Sequence, residues 1–168
     1  MTDPSQLLFL FGPGYSARAL AELWSGDVVG TYRSKSSLAV LQEAQIHPKS
    51  IDDLFGLHAA VQGAHVLIST PPDEDGCPAW RTIGAYAGEA ASITYLSTTG
   101  VYGDLGGGWA MDWSPVRPGS QRGRRRADAE QAWLSAGPHM RVVRLPGIYG
   151  PGRSAFDRLN AGTARRIV

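Results

Sequence analysis

At 168 residues the chain has the length of one ordinary domain, enough to bury a substantial core, and a single domain over 1–168 is expected. A formal net charge of +1 with 18% charged residues argues against a general nucleic-acid or membrane surface, and 43% hydrophobic residues exclude a disordered chain. Cys77 is the only cysteine, so no internal disulfide forms. With no signal-like segment and no apolar run long enough to span a bilayer, the expectation is a soluble, cytoplasmic protein with neither a membrane nor a nucleic-acid partner.

Residues 7–20, LLFLFGPGYSARAL, organise the reading. Five apolar residues run into Gly12, Gly14 and Ala17 at the spacing G-x-G-x-x-A, and an apolar helix pattern follows over 15–25. The pattern predicts strand, tight turn and helix. Gly12 turns the chain sharply, Gly14 lets backbone approach a pyrophosphate, and Ala17 lets the helix lie close to the sheet. The phosphates would sit on the helix start at Tyr15, Ser16 and Ala17, where unpaired N–H groups and the helix dipole favour an anion.

Residues 27–32 (DVVGTY) form a second strand that delivers the chain to Arg33 and Ser34. An NAD site places an acidic residue about 20 positions past the glycines, on the ribose hydroxyls, whereas arginine suits a 2′-phosphate. Arg33 lies 19 residues after Gly14 with no acidic neighbour, so NADP is favoured over NAD, with Arg33 and Ser34 on the ribose phosphate. The bland alternative is that Arg33 and Lys35 are solvated loop charges.

Further along, residues 36–43 read as a helix, 44–47 as a short edge strand and 51–62 as a helix. Residues 64–70 (AHVLIST) are a buried strand that stops at Pro71 and Pro72, which cannot continue a central ladder. In a parallel sheet the loops at carboxyl strand ends line the ligand crevice, so Ser69, Thr70 and Pro71 should flank the cofactor. His65 reads as a packed or surface residue, since no second His or Cys lies at metal spacing, and no metal site is expected. A helix over 78–91 leads to a strand over 92–99 (SITYLSTT), then to Val101-Tyr102-Gly103. The loop that follows, to residue 121, carries Trp109 and Trp113, which either cover a site or simply cap the fold. A helix over 123–136, a strand over 140–145 (MRVVRL), the run PGIYGPG and a helix over about 154–165 complete the chain. This alternation predicts an α/β, Rossmann-type, doubly wound parallel sheet of order 3-2-1-4-5-6 with helices on both faces.

GPGYSA at 12–17, YLSTTGVYGD at 95–104, Glu130 and RLPGIYGPG at 144–152 stand in the order seen in one family. The chain resembles the extended and atypical short-chain dehydrogenases/reductases, the NAD-dependent epimerase/dehydratase type. The resemblance implies a catalytic hydroxyl at Thr98 and a segment from Pro146 through Ile148 to Tyr149 near the nicotinamide. It also implies a Tyr-x-x-x-Lys pair, but counting back from Glu130 puts Arg122 at the tyrosine and Arg126 at the lysine. A guanidinium stays protonated and accepts no proton, so Arg122 cannot replace the phenol, although Arg126 could still bond ribose hydroxyls. The acidic pair of the family's sugar-nucleotide dehydratases is Thr99 and Gly100 here, which argues against that mechanism. The sequence also stops where the family's C-terminal substrate-binding portion begins, as in a truncated or split member, and the exposed side of the last strand would invite a partner chain, a homo-oligomer included. The expected function is an NAD(P)-binding oxidoreductase or epimerase-like protein acting on a small-molecule carbonyl or hydroxyl. The rival is a dinucleotide-binding regulator or assembly subunit without turnover. A third reading, the arginines at 122, 124, 125 and 126 as a nucleic-acid patch, is disfavoured by the low net charge.

Overall fold

The computed structural model describes residues 6–164. Strand β1 (Leu8–Phe11) is buried at all four positions because it lies between β2 (Val28–Tyr32) and β4 (His65–Ile68), parallel to both. Its side chains alternate between two cores. Phe9 and Phe11 point into the layer built from α3 (Leu54–Val61), α4 (Pro78–Ile83) and α5 (Gln121–Leu134), where Leu57, Ile83 and Trp133 are fully buried. Leu8 and Leu10 point the other way, into a smaller core with Ala17 of α1 (Tyr15–Leu23) and Leu41 of α2 (Lys35–Glu43). A strand covered on both faces reads as an unbroken apolar run, and each such side chain removed from water contributes about 1.5–3 kcal/mol.

The six-stranded sheet is parallel throughout, in the order β3-β2-β1-β4-β5-β6, as the sequence predicts. Strand β5 (Ser92–Thr98) follows a short 3₁₀ helix (Gly84–Glu89), and β6 (Met140–Leu145) closes the far edge over the full length predicted. Three helices begin where local chemistry offers a cap: Ser34 and Ser37 form a reciprocal capping box on α2, and Asp53 and Ser120 accept the third amides of α3 and α5.

The helix expected over 51–62 starts only at Leu54, after its Asp53 cap, and three other elements differ further from expectation. Strand β3 runs His47–Ser50 instead of 44–47; the backbone at 44–46 closes α2 instead, Ile46 N–H donating to Leu41 O at 2.9 Å. Ile51 N–H donates to Tyr32 O at 2.9 Å, so the odd-numbered residues of β3 face β2 and Pro48 turns its missing N–H to the free edge. The helix expected over 78–91 stops at Ile83 and tightens into the 3₁₀ segment, since Gly84 and Gly88 each disfavour α-helix by about 1 kcal/mol. The last helix, α6, is Ala155–Asn160, followed by Gly162 at φ +65°; residue 165 of the expected span lies outside the described residues.

Candidate dinucleotide-binding site

The carboxyl ends of β1, β2 and β4 converge on Gly12, which sits at φ +86° where L side chains are strained. The turn is tied from both neighbouring strands. Gly12 N–H donates to Thr31 Oγ1 at 2.9 Å, the Ser69 hydroxyl donates to Gly12 O, and Thr70 Oγ1 donates to Phe11 O at 3.1 Å. A Cβ on Gly12 would overlap Thr70 Oγ1, so the glycine is required by space as well as by conformation. Gly14 caps α1 with no side-chain bond to the helix amides, which leaves the first N–H groups of α1 for another acceptor.

Around this turn runs a trough. One part, of about 300 Å³, is walled by Gly12, Pro13, Thr31, Arg33, Ser34, Ile51 and Pro78. A second, of about 290 Å³, shares Gly12, Pro13, Ser37 and Thr70 with it and adds Gly14, Ser69 and Pro71. Gly12, Gly14, Arg33, Ser34, Ser69, Thr70 and Pro71 therefore line two adjoining parts of the trough. Arg33 and Ser34 stand at its far end, where the Ser34 hydroxyl is engaged in the α2 cap.

The remaining expected residues divide. Ala17 is fully buried between α1 and the sheet, and Ser16 is half-buried behind the turn. Tyr15 turns away from the trough and donates its hydroxyl to Pro151 O at 3.1 Å. Pro146 lines a separate cleft beside Thr99, Tyr102 and Arg144, Ile148 is half-buried, and Tyr149 is exposed. Thr98 ends β5 half-buried, and its Oγ1 accepts the Gly100 N–H at 3.2 Å to start the 3₁₀ turn Thr99–Val101.

Arg122 is exposed on the first turn of α5, whereas Arg126 is buried against β5. Its Nη1 donates to Leu96 O at 2.8 Å and to Tyr95 Oη at 3.1 Å, so the guanidinium is bonded to neutral acceptors. Burial pushes the Tyr95 phenol up to about 12, the nearby Arg126 charge acting in the opposite direction. Because the folded value lies above the ordinary 10, Tyr95 stabilises the fold fully below pH 10, and that contribution disappears as pH rises from 10 to 12. Alkaline titration of stability should therefore show a loss on the order of 2 kcal/mol in this window. Tyr95→Phe should flatten the limb; an unchanged limb would show that another group causes it.

Sequence reading missed the strongest electrostatic feature. Glu130, 3% exposed, accepts from Arg144 Nε at 3.1 Å and from Nη2 at 2.7 Å, while Arg144 Nη1 donates to Tyr102 Oη at 3.0 Å. The carboxylate holds the guanidinium well above the usual arginine range. A signal existed: Glu130 shares the apolar face of α5 with Ala129, Arg126 and Trp133, and a carboxylate there requires a counter-charge. Among the described residues, no group of three or more His, Cys, Asp or Glu is placed to hold a metal, and no helix is long and apolar enough to cross a membrane.

No protein-family model and no curated protein matches the sequence. Solved structures do match. A conserved Silicibacter pomeroyi protein of unknown function is 38% identical with a TM-score of 0.82, over 97% of this chain and 60% of its own. A Methylobacillus flagellatus protein proposed to be an NAD-dependent epimerase/dehydratase is 24% identical at TM-score 0.69, over 90% of this chain and 57% of that one. The fold is that of the NAD-dependent epimerase/dehydratases. The Bordetella bronchiseptica enzyme WbmH, solved in complex with NAD+, shares the fold at 17% identity and TM-score 0.68, over 94% of this chain and 63% of its own. The present chain thus spans 57–63% of the length of these three proteins.

Proposed function

We propose that the chain binds a nicotinamide dinucleotide along the trough, pyrophosphate against Gly12, Gly14 and the first amides of α1, and acts as an oxidoreductase or epimerase-like protein on a small carbonyl or hydroxyl compound. The observation that carries this reading is the tied glycine turn: Thr31, Ser69 and Thr70 hold it from both sides, and Gly14, which has no side chain, precedes the first amides of α1, left without a side-chain cap. The NAD+ held by WbmH on the same fold supports it. When bound, the cofactor supplies a hydride acceptor or donor. The chain's part is to bind and orient. Thr98 stands at the end of β5 to hydrogen-bond a substrate oxygen, with Arg126 beneath that strand.

The arginines favour a second reading, a dinucleotide-binding regulator or assembly subunit without turnover. Neither Arg122 nor Arg126 can pass a proton to an alkoxide at neutral pH, and general acid catalysis typically supplies about 10² to 10⁴ in rate. Steady-state NADPH oxidation with simple carbonyl compounds separates the two readings, brisk turnover excluding the second. The cytoplasm is the compartment that suits either.

NADP is the cofactor proposed, because Arg33 stands at the trough wall without an ion-pair partner among the described residues. Arg33→Asp should weaken NADP binding about 10- to 100-fold, as loss of charge-assisted phosphate bonds implies, and leave NAD little changed. Calorimetric titration of both cofactors measures this. Equal wild-type affinities for NAD and NADP would reject the preference.

A further inference from the structure

A second hollow lies outside the trough, between α1 and α2. Its volume is about 460 Å³, within the range of about 300–1,000 Å³ usual for small-molecule sites. Arg18 and Glu22 of α1 and Glu43 of α2 line it, and Val40, Ala44 and Pro151 supply apolar wall. It shares Val40 with the trough and none of the glycines of the turn.

Three charges meet in this hollow, and none of them is paired. Among the described residues no ion pair joins Arg18, Glu22 or Glu43 to any group. Arg18 is half-buried, and its Nε is enclosed by protein without a hydrogen-bond partner, an arrangement that folded chains avoid unless something else supplies the acceptor. Glu22 lies four residues further along the same helix, but opposite charges at that spacing pair better when the acid comes first, so α1 does not neutralise its own arginine. Glu22 and Glu43 stand exposed on different helices. A bare anion brought to Arg18 would meet two carboxylates, and a bare cation brought to those carboxylates would meet a guanidinium.

We propose that this hollow is a second binding site, for a short zwitterion of the α-amino-acid class with an aliphatic side chain. Its carboxylate is bonded by the Arg18 guanidinium, which donates in a planar fork suited to that group. Its ammonium, with three donors and no acceptor, is shared between Glu22 and Glu43. Its hydrocarbon part lies on Val40, Ala44 and Pro151. The inference stands apart from the dinucleotide reading, since it uses no residue of the glycine turn.

The test is an NMR titration of the full chain with L-leucine, following backbone amides. Those of residues 18–22 and 40–44 should shift and saturate on the order of 1 mM, the scale expected of so small a ligand. Isocaproate, which is leucine without its ammonium, and isoamylamine, which is leucine without its carboxylate, should each bind at least about tenfold more weakly. Arg18→Met should weaken leucine about tenfold, and the pair Glu22→Gln with Glu43→Gln about three- to tenfold, with thermal melts showing that both variants are folded. Should Arg18→Met not fold, the glutamine pair and the two leucine analogues still decide. Absence of saturable shifts at α1 and α2 overturns the proposal. So does equal binding of leucine and both analogues, or leucine binding that the glutamine pair leaves unchanged. Leucine bound in this way by a chain that fails to bind NADPH upholds the site while the dinucleotide reading falls.

Discussion

Gly14→Val should give a chain that melts close to the parent and binds neither NADP nor NAD, a loss of at least about 100-fold in affinity, on the order of 3 kcal/mol. Gly14 has φ −69° and ψ 177°, a conformation valine adopts readily, so the backbone is not strained by the change. Its added Cβ would lie 3.1 Å from Ser69 Oγ, which need give by only a few tenths of an ångström and can keep its bond to Gly12 O. The fold therefore yields at little expense. The two methyls, however, occupy the approach to the first amides of α1, where a pyrophosphate must come into backbone contact. Gly12→Val is the contrasting case: at φ +86°, with its Cβ inside Thr70, it should lower the melting temperature as well. Calorimetric titration beside thermal melts separates the two losses. Retained cofactor binding by Gly14→Val would remove the pyrophosphate site from this turn.

The largest stability effect is expected at Glu130. Glu130→Ala strands the Arg144 charge, whose side chain is only 21% exposed, without its carboxylate. Breaking a buried pair from one side costs about 3–5 kcal/mol, which for a domain of this size lowers the melting temperature on the order of 10 °C. Removing both charges, as Glu130→Ala with Arg144→Met, should recover most of that loss, because no uncompensated ion then remains. A single-mutant shift below about 2 °C would show that Arg144 is solvated well enough to need no partner.

How much of this was readable beforehand depends on how local the cause is. Leu8 to Phe11 announces a central strand because both faces are apolar, and the glycines after it announce the turn. Strand order follows from the βα alternation together with the glycine-rich turn after β1. By contrast, β3 is HPKS, with no apolar alternation; it is a strand because Gly30 and its neighbours in β2 offer it a ladder. The break at Gly84 required weighing two glycines against a helical pattern that extended past them. In the candidate site, the places of Gly12, Gly14, Ser69 and Thr70 are legible from motif and strand-end position. Thr31 was not, since nothing around a threonine in a strand shows that its hydroxyl will meet an amide 19 residues away. The contact of Tyr15 with Pro151 spans 136 residues and leaves no periodic trace at either end. Arg126 and Arg122 stand four apart on one helix, and nothing in the sequence shows which is buried; packing against β5 separates the buried one from the exposed one.

The proline in β3 bears on how molecules of this protein meet one another. Outward-facing amides on an edge strand recruit strands from other chains, and four residues with Pro48 among them leave Ser50 as the one remaining outward donor within β3. A single amide cannot seed a ladder, so crowded copies find no template on this side. Intermolecular sheet extension, and the fibrous aggregation that grows from it, is blocked at the β3 margin by one imino acid.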